Sequence, residues 1–247
     1  MIFPIGDTQV KGGVFPFVTY TFIVLNVLAF LYQLSDPYLL VCDYGSVPNN
    51  ILQGEDYFTL LTSTFMHGGW MHLIGNMVFL WVFGDNIEAT VGNFPFVGFY
   101  ILGALAASGL HIFLSNGSSF EMINCCHLCS GCPEGARLCP GSIPSVGASG
   151  AISAILGAYL VMFPKSKVKT LVFYFFVEIP AFLFLGFWIA QQLFFGFGSV
   201  GVDAASSGGT AWWAHIGGFV FGVIAGFFAR DKKPKEPSRW RKKNDFV

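Results

Sequence analysis

Three stretches of the chain carry residue types able to attack a carbonyl carbon. Gly147-Ala148-Ser149-Gly150 supplies a hydroxyl, Ala214-His215-Ile216-Gly217-Gly218 a base, and the segment from His67 to Asn76 a set of polar donors. A serine hydroxyl is a poor nucleophile until a base takes its proton, and His215 is the candidate base. The tetrahedral intermediate then needs donors aimed at its oxyanion. His72 and Asn76 are four residues apart, so they share a helix face, and both can donate. The Ser149 backbone N–H, at a helix start, has no acceptor within its own helix and adds a third donor. Asp203 lies among glycines and serines and reads as a solvated loop charge, so the expectation is a dyad. Singly these features are ordinary. Small residues are common in membrane helices, and the histidine pair lacks the glutamate and spacing of a zinc protease. Their conjunction makes the signal.

The elements that must position these groups are apolar and long. Of 247 residues 54% are hydrophobic and 11% charged, against about 25% charged in soluble domains. The shortfall excludes an ordinary soluble enzyme, and no nucleic-acid partner is expected. Apolar runs over residues 15–34, 69–87, 94–114, 149–163, 179–195 and 212–229 each approach the length of a span. The first lacks a small-residue cleavage site and reads as a retained span. Pro164 ends the fourth. Residues 168–177 are apolar beside Lys165, Lys167 and Lys169, and suit an interfacial segment or an extended fifth span. The expected fold is therefore all-α, a polytopic six-helix bundle over residues 15–229. An N-terminal segment (1–14) precedes it and a basic tail (230–247) follows.

Lysine and arginine mark the cytoplasmic side. Lys11, the lysines after the fourth span and the tail from Arg230 to Lys243 fall on one side of a six-span chain. Only Arg137 falls on the other, with Asp36, Asp43, Glu55, Asp56, Glu121, Glu134 and Asp203. Both termini are thus expected inside, and the tail also suits anionic lipid headgroups. Ser149 and His215 each precede the inner end of their span by 14 residues, roughly 21 Å of helix, so they lie at matched depth. His215, Gly218, Gly222 and Gly226 form one face of the sixth span, and Ser149, Ser153 and Gly157 a small-residue stripe on the fourth. Small stripes let membrane helices approach closely.

Residues 115–146 form an outer loop with Cys125, Cys126, Cys129, Cys132 and Cys139; Cys42 lies in the first outer loop. Three states stay open on spacing alone. They are disulfides, one of them joining the two loops; a zinc site on Cys126, Cys129, Cys132 and Cys139; or free thiols. The loop leads directly to Ser149, where it would brace the helix start or restrict substrate entry.

Taken together, the motifs resemble the rhomboid family of intramembrane serine proteases. The resemblance runs through His67, His72 and Asn76, then Gly147, Ser149 and Gly150, then His215, Gly218 and Gly222. Glu88 with Gly92 is similar to a further family motif, and Pro180, Trp188 and Gln191 resemble the fifth helix of bacterial members. It implies Ser149 as nucleophile, His215 as base and an oxyanion site built with His72 and Asn76, with no cofactor. It also implies single-span membrane proteins as substrates and a mobile gate around the fifth helix and residues 196–211. The short architecture looks prokaryotic, which places the chain in a plasma membrane. The alternative is an inactive relative that binds membrane clients; the intact Ser149, His215, His72 and Asn76 argue against it. Two departures stand out. Glu55-Asp56-Tyr57-Phe58 replaces a Trp-Arg pair of some members, and Ser153 stands where others stack an aromatic ring on the base. Glu178 reads as a buried acid or, preferably, as a residue near the inner interface at the fifth helix's start.

Overall fold

The structure, a computed structural model, describes residues 2–8, 10, 13–115, 129, 140–198 and 210–230. The glycine-rich loop at 199–209 with Asp203, the tail beyond Arg230 and all of the cysteine loop except Cys129 and its last residues lie outside these. A strand β1 (Ile2–Asp7) is followed by α1 (Phe17–Gln33) and three short helices, α2 (Pro37–Tyr44), α3 (Pro48–Leu52) and α4 (Thr59–Thr62). Next come α5 (Trp70–Phe79), α6 (Asp85–Val91) and α7 (Asn93–Ser115). Then follow α8 (Ser149–Met162), strands β2 (Lys167–Val172) and β3 (Phe175–Pro180), α9 (Ala181–Gly198) and α10 (Trp212–Ala229).

The molecule is mostly helical, and α7, α9 and α10 are each long and apolar enough to cross a membrane. The helices α1 and α8 are apolar but shorter. A π-helical turn, Leu80–Gly84, joins α5 to α6 without a break, so residues 70–91 make one rod. Large apolar side chains point outward, among them Leu28, Leu102, Phe187 and Phe228. That is the inverse of a soluble surface and fits a lipid surround.

The centre is α8, buried at every position from Gly150 to Tyr159. Its residues are small where α10 meets it. A Cβ on Gly218 would collide with the Gly150 carbonyl, one on Gly222 with the Ala154 carbonyl, and one on Gly226 would sit 3.0 Å from Ala158 Cα. From the other side, a Cβ on Gly157 would strike the Phe219 carbonyl and lie 2.9 Å from the Val223 nitrogen. The facing stripe on α8 is thus Gly150, Ala154 and Ala158. Gly157 and Ser153 of the expected stripe border the same contact, because backbone contact needs the smallest side chains directly between the axes.

The lysine-rich end of the bundle is tied by polar groups. The Glu88 carboxylate on α6 accepts from the Val18 and Thr19 amides at 2.8 and 2.7 Å and from the Thr19 hydroxyl at 2.7 Å. These amides are the unpaired donors of the first turn of α1, where an anion is favoured. Gly92, at φ +94°, closes α6 in a conformation that favours glycine. Nearby, the Tyr159 hydroxyl donates to Asp7, while Asn86 accepts from the Val10 amide at 2.7 Å.

Two expectations are corrected here. Residues 168–177 are not part of an extended α9. They form the β2–β3 hairpin, which β1 joins as an antiparallel third strand in the order β1-β2-β3. The cause is period-two alternation: Val168 and Thr170 are buried, while Lys167 and Lys169 face out. Glu178 is also not at a helix start. It lies in β3, opposite Lys169, and its carboxylate is 2.9 Å from Lys167 Nζ on the exposed face. The hydrogen bond from Lys167 holds that carboxyl below its ordinary range.

The α8–α10 contact predicts a contrast between two glycines. Gly222→Ala should lower stability by about 1–3 kcal/mol through overpacking. Gly98→Ala, where a Cβ would meet nothing within 4 Å, should be neutral or slightly stabilising. Thermal melts of both purified variants check this, and equal melting would contradict the backbone contact.

Candidate active site

Ser149 is the first residue of α8, and its position is fixed by what precedes it. Gly147 has φ +120°, a conformation that favours glycine, and its N–H donates to the Ser63 carbonyl at 2.8 Å. A Cβ there would lie 2.7 Å from His72 Cε1, 2.8 Å from His72 Nε2 and 3.4 Å from Asn76 Nδ2. The bend before the serine therefore rests directly on the polar face of α5.

The Ser149 hydroxyl oxygen is 2.8 Å from His215 Nε2. The Gly218 contact at Gly150 lies next in sequence to Ser149 and three residues after His215, so the backbone approach of α8 and α10 sets this distance. The other ring nitrogen of His215, Nδ1, is 2.8 Å from Gln192 Oε1 on α9. Trp188, one turn earlier on α9, lies across the same imidazole with ring centroids 5.9 Å apart. Ser153 does not reach the base. Its hydroxyl donates to the Ser149 carbonyl at 2.6 Å within α8, so the ring contact comes from α9.

On α5, the Gly68 N–H donates to His72 Nδ1 at 3.2 Å. An acceptor Nδ1 is unprotonated, which leaves the proton on Nε2, the atom turned towards Gly147. Asn76 Nδ2 is buried and makes no hydrogen bond. A buried amide left with an unused donor is costly unless something else is to occupy the space. His67 is a support. Gln33 of α1 clamps its backbone, accepting from the His67 N–H at 2.9 Å and donating to its carbonyl at 2.6 Å. The His67 ring then packs edge-on against His72, with centroids 5.2 Å apart.

Cys42 on α2 is joined to Cys129 by a disulfide. That link, the loop-joining disulfide among the three open alternatives, takes Cys129 out of the alternative zinc set of Cys126, Cys129, Cys132 and Cys139. Cys125, Cys126, Cys132 and Cys139 lie outside the described residues. Further along, Ser46 and Ser145 exchange backbone hydrogen bonds of 3.0 and 2.8 Å. The segment returning to Ser149 is thereby tied to the region just after α2.

Sequence reasoning named Gln191 on the fifth helix and passed over Gln192. The signal was present: Gln192 stands four residues after Trp188, on the same helix face.

A family model described as the Rhomboid domain matches residues 54–232. The chain is 29% identical over 227 residues to Rhomboid protein 1, mitochondrial, of Saccharomyces cerevisiae, covering 90% of this chain and 56% of that protein. It is 29% identical to RHOMBOID-like protein 12, mitochondrial, of Arabidopsis thaliana, covering 75% and 51%. With Rhomboid protease GluP of Bacillus subtilis it shares 28% identity over 87% of this chain and 34% of that protein. The chain thus spans about half the length, or less, of these relatives. Two of them are mitochondrial by name, so they lend no support to the expected prokaryotic plasma membrane.

Peptide mapping without reduction should recover Cys42 and Cys129 in one linked pair. Alkylation of Cys42 in the unreduced protein would contradict the link.

Proposed function

The chain is an integral membrane protein of the rhomboid family, and we propose that it is a serine endopeptidase cutting transmembrane segments of other membrane proteins. The observation that carries this reading is the 2.8 Å approach of Ser149 Oγ to His215 Nε2, beside a buried Asn76 amide with a free donor. A relative named as a protease adds support at the level of the family.

The chemistry follows from the geometry. His215 Nε2 takes the Ser149 proton as Oγ attacks the scissile carbonyl. The oxyanion forms where His72 Nε2–H, Asn76 Nδ2–H and the Ser149 N–H can donate, and these interactions strengthen as charge develops. Collapse expels the amine, which receives its proton from His215. A water molecule then attacks the acyl-enzyme, with His215 again as base. The Ser149–His215 dyad is complete without a metal.

The substrate class follows from the bilayer. The bundle is taken to span six times, with α5 to α6 as one span and both ends on the lysine-rich face. The 14 residues of α8 reach about 21 Å, short of a hydrocarbon core of about 30 Å. Ser149 then lies below the outer face. A peptide bond must be extended to be attacked, so the substrate helix must unwind locally. Single-span proteins with helix-destabilising residues near the outer face fit that need.

Cleavage of a model single-span substrate in proteoliposomes should fall about 10⁴-fold or more in Ser149→Ala. Undiminished cleavage by that variant would remove Ser149 from the mechanism, and a wild type that binds the substrate uncut would leave client binding as the function. Asn76→Ala should lower kcat by about 10²–10³. KM should change little, because the oxyanion exists only during reaction. A purely KM effect would move Asn76 to substrate binding.

A further inference from the structure

The proposed mechanism uses His215 Nε2 and says nothing of what holds the ring. Both ring nitrogens are engaged, Nε2 with Ser149 and Nδ1 with Gln192 Oε1, each at 2.8 Å. An imidazole turned over, or carrying its proton on Nε2, could not accept from a serine hydroxyl. Something must select one orientation and one tautomer. In many serine hydrolases a carboxylate does this, but here the atom on Nδ1 belongs to an amide.

The amide's own orientation is settled by a second contact. Gln192 Nε2 donates to the Trp188 carbonyl at 3.4 Å, one turn back on α9. With the NH₂ group spent there, Oε1 is the atom turned to His215. An amide oxygen only accepts, so Nδ1 must carry the proton and donate. The lone pair is then on Nε2, facing the Ser149 hydroxyl. The Trp188 ring lies across the imidazole, so one face of α9 supplies both the stacking surface and the acceptor.

Two further features keep α9 at this distance. Gly196, one turn after Gln192, leaves room for Ile216 and Trp212: a Cβ there would sit 3.1 and 3.5 Å from them. Phe195 stacks on Trp212 with centroids 5.0 Å apart. Gln192 is itself 5% exposed, on a helix whose buried residues are otherwise Ala181, Phe184, Leu185 and Gly196. A long polar side chain buried among these apolar and small residues needs a polar partner, and His215 is that partner.

We propose that Gln192 is a positioning residue that fixes the tautomer and orientation of His215, the part a carboxylate plays in a triad. The inference rests on the Ser149–His215 reading above. It goes beyond that reading by making α9 a carrier of the catalytic base's support. Among the described residues, the titratable groups within electrostatic reach of His215 are His72 of α5 and His111 of α7, and both are unchanged in the variants that follow.

The test compares full-length wild type, Gln192→Leu, Gln192→Glu and Ser149→Ala on a model single-span substrate in proteoliposomes, with kcat, KM and the pH profile of kcat/KM. Gln192→Leu should lose kcat tenfold or more, with KM within threefold. Gln192→Glu restores the acceptor, so its kcat at high pH should return to within threefold of wild type. A carboxylate also favours the imidazolium, so the acidic limb of the profile should move to higher pH by about one unit. A purely structural role for Gln192 would not move that limb in this direction. Gln192→Leu with kcat within twofold of wild type overturns the proposal. So does Gln192→Glu with an unmoved limb and a kcat no better than Gln192→Leu. Should Gln192→Leu fail to fold in a thermal melt, Gln192→Glu decides alone. Cleavage by Ser149→Ala would overturn the parent reading and this one with it. Inactive Ser149→Ala beside fully active Gln192→Leu would overturn this one only.

Discussion

The structure depends on backbone-to-backbone contact between α8 and α10. Gly218 rests on the Gly150 carbonyl and Gly222 on that of Ala154, with no side chain between them. In lipid there is no hydrophobic force pressing helices together, so close van der Waals contact must supply the association. That contact leaves the Ser149 oxygen and the His215 ring 2.8 Å apart. A methyl group between the axes would act twice, once on packing and once on the reactive pair. Stability and chemistry are therefore not separable along this seam.

The same seam explains why the rest of the site is built from other helices. With α8 and α10 in contact, neither has room to carry a further large polar group at that height. Support for His215 comes from Gln192 and Trp188 on α9, and the donors His72 and Asn76 come from α5. The α5 face is held in turn by Gln33 of α1 through the backbone of His67. Gly147 joins the two halves, since its missing Cβ is the space that the His72 ring occupies.

Much of this was legible in the sequence, for physical reasons that differ by element. The ends of α8 and α10 were readable to within a residue, because Pro164 and Arg230 interrupt apolar runs that the bilayer requires to be continuous. Ser149 and His215 stood out because polar groups are rare within apolar spans. The three-stranded sheet was not legible. Its strands are six residues each, and the aromatic stretch at the turn, with Phe173, Tyr174, Phe175 and Phe176, mimics the start of a span. Composition cannot separate those cases; only the alternation around Lys167 and Lys169 does, and β1 pairs with β2 from far away in sequence, as in Asp7 with Val168 and Ile2 with Val172. The Cys42–Cys129 pairing depends on how two loops meet, which spacing does not encode. Gln192 was hidden by its neighbour Gln191, since choosing between them requires the helix phase relative to His215.

A neutral partner for the proposed base is consistent with the proposed position of the site within the membrane. A carboxylate buried at this depth would carry a desolvation cost of several kcal/mol in its free state. An amide sets the same hydrogen bond at a much smaller cost. In the proposed mechanism the consequence appears in the transition state, where His215 becomes an imidazolium. An amide dipole stabilises that cation less than a full negative charge would. More of the stabilisation must then fall on the proposed oxyanion donors, His72, Asn76 and the Ser149 N–H. The Asn76 donor, which no protein group accepts from, is what such a division of labour requires in the proposed mechanism: a group held ready for a charge that exists only during the reaction.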